Sequence, residues 1–124
     1  MLRSPDSDAD RIVESSRTVI KLSTLWKAGN YKFQQIRDQD YDLLVCLGVS
    51  TFDAHCWAMT KEAVLQHWGQ RDGQGLPHQH GGQAGTDTCW LTVDPIAPHP
   101  WLKPHGGSLE KGLTVLQTLT ERAA

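Results

Sequence analysis

The chain has 124 residues, with 12 Lys and Arg against 14 Asp and Glu and a formal net charge of −2. A hydrophobic share of 39% and a charged share of 21% exclude a disordered or low-complexity segment and give a single domain able to bury a core without staples. The acidic balance excludes a broadly basic nucleic-acid surface, so any DNA contact must be local, metal-assisted or shared with another subunit.

Residues 1–9 are rich in Ser and Asp and read as a loose lead-in to one domain over 10–124. Asp10–Val13, a turn over Glu14–Arg17 and the alternating Thr18–Ser23 predict a β-hairpin with a four-residue connection. Trp26–Asn30 is a loop. Tyr31–Asp38 then suits a short helix, with Phe33, Ile36 and Arg37 on a shared face. Tyr41–Val49 is a continuous apolar run of strand length, as expected of a central strand covered on both faces. Ala54–Met59 reads as a further strand, and Thr60 as the N-cap of a helix running to about Trp68. Residues 69–88 form a long glycine-rich loop carrying His78 and His80, and Cys89–Val93 is the last strand. Gly106-Gly107 punctuates the following loop. Ser108 caps a C-terminal helix with Leu109, Leu113, Leu116 and Leu119 along one side. The order β-β-α-β-β-α-β-α gives an α/β fold, a small mixed central sheet flanked by helices.

No run approaches the roughly 18–20 apolar residues that span a bilayer, and the polar start has no signal-peptide character. A cytoplasmic location without membrane contact is expected. Cys46, Cys56 and Cys89 make an odd count with no C-x-x-C, which excludes a zinc ribbon and fits buried, reduced thiols. Trp57 and Trp90 fall in strand runs and belong to the core. Trp26, Trp68 and Trp101 lie near loops, where packing or stacking on bases are both open.

Lys21 sits inside the alternating strand 18–23, sharing a face with Val19 and Ser23. A charge in such a run needs either solvent at a sheet edge or a function. The run Lys21-Leu22-Ser23-Thr24, followed by Trp26, Gly29, Tyr31 and Phe33-Gln34-Gln35-Ile36-Arg37, resembles the PD-(D/E)XK, restriction-endonuclease-like nucleases. The apolar run 41–49 resembles the central strand that comes next in that group. The resemblance covers about residues 10–65, half the chain.

It implies a restriction-endonuclease-like core and a DNA endonuclease of restriction or DNA-processing type, with Mg²⁺ or Mn²⁺ as cofactor. Two carboxylates hold such an ion, which lowers the pKa of a bound water while a lysine orients the water or neutralises the transition state. Lys21 would be that lysine, and Asp10 or Asp8 the hairpin carboxylate. Pro5-Asp6 matches the family letters from a loop position. Gln34 and Gln35 would face the site from the helix, with Gln35 in the catalytic set, and Ser23, Gln34 and Arg37 would contact substrate. The chain departs from the pattern at Val19, where the second carboxylate is expected and no metal can bind; Glu14 is the alternative ligand from the turn. Implied partners are DNA and a homodimer mate or other subunit supplying missing elements. The second reading is a catalytically inactive nuclease-fold module that binds DNA or a protein. A third, unrelated α/β domain would place its chemistry at His78 and His80.

Overall fold

The computed structural model describes residues 11–13, 16–37, 40–69, 76 and 88–123. Asp6, Asp8, Asp10, Glu14, Asp38, His78 and His80 lie outside the described residues. Seven strands are described: β1 (Arg11–Val13), β2 (Ser16–Thr24), β3 (Tyr31–Arg37), β4 (Leu43–Val49), β5 (Ala54–Thr60), β6 (Thr88–Val93) and β7 (Gly106–Ser108). Two α-helices accompany them, α1 (Lys61–Gln66) and α2 (Leu109–Ala123), with a 3-10 turn over Lys103–His105.

The strands form two sheets. One is five-stranded in the order β1-β2-β4-β5-β7, and the other pairs β3 with β6. β2 and β4 run parallel, whereas β1–β2, β4–β5 and β5–β7 are antiparallel. Val13 pairs with Ser16, so β2 begins inside the four-residue connection expected over 14–17. The mixed α/β class and the strands at 43–49, 54–60 and 88–93 match the sequence reading.

The largest departure is at residues 31–37, which form strand β3 and not a helix. Tyr31 and Phe33 alternate inward around a half-buried Lys32, the period of a strand. Phe33 pairs with Leu91 and Ile36 with Cys89, so three steps along β3 match two along β6. The extra residue is a β-bulge at Gln34-Gln35, with Gln35 at φ 55°. The bulge returns Ile36 to the core after three residues, and that spacing imitates a helical face.

Face by face, the large sheet buries two different layers. Leu44, Cys46, Trp57 and Met59 point toward β3 and β6 and pack with Tyr31, Phe33, Ile36 and Leu91. On the opposite face Val45, Cys56 and Ala58 pack against Val115, Leu116 and Leu119 of α2. Both faces of β4 are thus covered, which is why its sequence is apolar without alternation.

Helix α2 is capped by Ser108, whose Oγ accepts from the Lys111 amide at 3.1 Å. Its buried stripe differs from the one read off the leucines. Leu109 and Leu113 are exposed, while Gly112 is buried against β5. A Cβ at 112 would lie 2.2 Å from the Cys56 carbonyl oxygen, so the glycine sets how closely the helix approaches the sheet. Gly106 and Gly107 are more than punctuation, since they form edge strand β7 opposite Trp57 and Cys56.

Candidate functional site

Lys21 lies on β2 opposite Cys46 of β4, between the pairs Val19–Leu44 and Ser23–Gly48. Alternation puts it on the face that looks toward β3 and β6, where it is half-buried. Val19 is packed against the core on that face. Ser23 is buried, and its hydroxyl accepts from the Lys32 amide at 2.9 Å and donates to the Thr24 carbonyl at 2.8 Å. Its hydroxyl is therefore engaged in tying β2 to β3.

The Ser23–Lys32 bond joins the end of β2 to the start of β3. The bulge leaves Gln34 and Gln35 both exposed. They lie on a strand, not on the helix expected. Arg37 is exposed at the far end of β3.

Cys46 is fully buried opposite Lys21, and burial, with the neighbouring Cys56 adding to it, pushes its thiol well up; the Lys21 charge opposes this. A protonated thiol is neither a nucleophile nor a metal ligand. All three cysteines are free and buried, as the sequence implied. Among the described residues, no three His, Cys, Asp or Glu side chains come together to hold a metal ion. Val19 offers no donor, and Asp8, Asp10 and Glu14 lie outside the described residues, so the described part of the site does not by itself fit a metal.

Two further clusters escaped the sequence reading. The Tyr31 hydroxyl and His55 Nδ1 share a hydrogen bond of 2.9 Å, and the Asp53 carboxylate lies 3.8 Å from His55 Nε2. The Tyr31 ring covers Gly48, where a Cβ would meet it at 2.6 Å. Burial raises the Tyr31 pKa, so this phenol acts as a neutral hydrogen-bonding group. Asp53 and His55, two apart at the start of β5, were the available signal. The second cluster lies where β2 turns into β3. Lys32 Nζ sits 4.4 Å above the Trp26 ring and 5.1 Å above the Trp90 ring. Trp90 is only half-buried here, not a core residue.

No described helix is long and apolar enough to cross a membrane. No family model, curated protein or solved structure matches the chain.

Proposed function

We propose that the chain is a nuclease-fold protein of restriction or DNA-processing type, with Lys21 as the residue that meets a DNA phosphate. The observation that carries this reading is a half-buried lysine on an inner strand, on the face that looks toward β3, whose bulge exposes Gln34 and Gln35. A partly desolvated ammonium attracts a phosphate more strongly than one in open water. The exposed carboxamide N–H groups of Gln34 and Gln35 would donate to phosphate oxygens. Mg²⁺ or Mn²⁺, if bound, would supply Lewis-acid stabilisation and a nucleophilic water. Its ligands would have to come from Asp10, Asp8 and Glu14, because Val19 faces the core. The test is cleavage of plasmid and linear duplex DNA in Mn²⁺. The wild-type protein is expected to cleave and Lys21→Ala to lose activity; equal cleavage by both proteins would remove Lys21 from the mechanism.

The packing of Val19 against the core favours a second reading, an inactive nuclease fold retained for binding DNA or a protein. It predicts no cleavage and binding indifferent to Mg²⁺. Under that reading Val19→Glu restores Mn²⁺ binding by calorimetry, and a variant that stays folded but takes up no ion counts against a lapsed metal site.

A further inference from the structure

The turn from β2 into β3 is a built feature and not slack chain. The Trp26 amide donates to the Asn30 carbonyl at 2.9 Å, and the Gly29 amide donates to the Trp26 carbonyl at 2.9 Å. Gly29 takes φ 84°, a left-handed conformation that a side chain would strain. The Ser23–Lys32 hydrogen bond closes the base of the turn. On this frame residues 24–28, Asn30 and Lys32 line an open cavity of about 550 Å³.

The lining combines three chemistries. Trp26 is 44% exposed, with Lys32 Nζ over its ring and the rest of its surface in solvent. Lys27 and Lys32 are the charged residues of the lining, which holds no carboxylate, in a chain whose net charge is −2. Asn30 Oδ1 is buried without a hydrogen-bond partner, an arrangement that costs free energy until a donor arrives. Lys32, between the Trp26 and Trp90 rings, is held in place by two cation–π contacts.

We infer that this cavity seats an unpaired base of single-stranded nucleic acid, with Trp26 as the stacking platform, Asn30 reading the base edge and Lys27 and Lys32 holding the flanking phosphates. An aromatic face beside cations is the combination that binds single strands without sequence preference. The inference rests on the DNA reading above and extends it, because the cavity begins at Thr24, about 10 Å along β2 from Lys21. A strand stacked on Trp26 then runs its next phosphates toward that lysine.

Binding is measured by anisotropy of a short fluorescein-labelled oligothymidylate in EDTA, so that cleavage plays no part. The wild-type protein is expected to bind with quenching of its tryptophan emission. Trp26→Ala, Lys32→Ala and an abasic strand of the same length should each weaken binding by roughly 5- to 100-fold, the range for loss of one stacked base. Lys32→Arg should restore most of the affinity. Trp26 is exposed, so its removal leaves the fold intact, which circular dichroism checks. Equal binding by Trp26→Ala, equal binding of the abasic strand, or binding of anionic phosphatidylglycerol vesicles in place of the oligonucleotide would overturn the inference. Loss of single-strand binding beside retained plasmid cleavage rejects this site alone. Retained binding without cleavage rejects only the catalytic reading.

Discussion

Lys21 stood out in the sequence because a charge interrupts an alternating apolar strand, and its place on an inner strand keeps it half-buried. Its neighbours were less legible. Tyr31 and Gly48 are 17 positions apart and meet only because β3 lies across the large sheet. Gly48→Ala would drive a methyl into the Tyr31 ring, and is expected to lower stability by about 1–3 kcal/mol in urea unfolding. A variant as stable as wild type would mean that the ring has room to move. At the other end of the molecule, the His67 and Trp101 rings stack 4.0 Å apart and His105 packs on the edge of Trp101. Burial, with His67 adding to it, lowers the His105 pKa below its ordinary 6.5, while the Ala58 backbone opposes this. The unfolded chain therefore takes up a proton at this site before the folded one does. Stability contributed here is complete above pH 6.5 and falls as pH drops from there through the folded value. Thermal unfolding between pH 8 and 5 should show that decline, and His105→Gln should reduce it.

At the scale of elements, β3 and α2 show where pattern reading met its limits. Phe33 and Ile36 are three apart, which fits one face of a helix as well as a bulged strand. The choice is made by β6, whose Leu91 and Cys89 accept the two residues in antiparallel register. Gln35 in the left-handed region gives a direct check. In the bulge Gln35→Gly should be at least as stable as wild type, and Gln35→Val less stable by about 1–2 kcal/mol. A helix would reverse the sign for glycine, which costs about 1 kcal/mol in a helix interior. In α2 the leucine spacing suggested one buried side, but the close approach at Gly112 rotates Leu109 and Leu113 outward. Gly112→Ala should therefore destabilise by about 1–3 kcal/mol in spite of alanine's higher helix propensity. A rise in melting temperature would contradict that packing.

Across the whole molecule, the local signals were legible and the long-range ones were not. The apolar run of β4 announced a strand buried on both faces, and the core bears that out. Edge strand β7 could not be foreseen, because Gly106 and Gly107 join the sheet only through their partners on β5. The bulge on β3 shows only against its partner β6, so no local propensity announces it. Of the candidate site, Lys21 is half-buried on an inner strand, Gln34 and Gln35 are exposed on the bulge of β3, Ser23 is engaged within the fold, and Arg37 stands at the far end of β3. The central claim is that Lys21 meets a DNA phosphate, and it can be separated from any question of cleavage. Duplex binding is followed by anisotropy in EDTA at several salt concentrations for wild type and Lys21→Gln. Loss of one phosphate contact should weaken binding and make the slope of log K against log salt shallower by about 0.9. Superimposable slopes and affinities for the two proteins would contradict it.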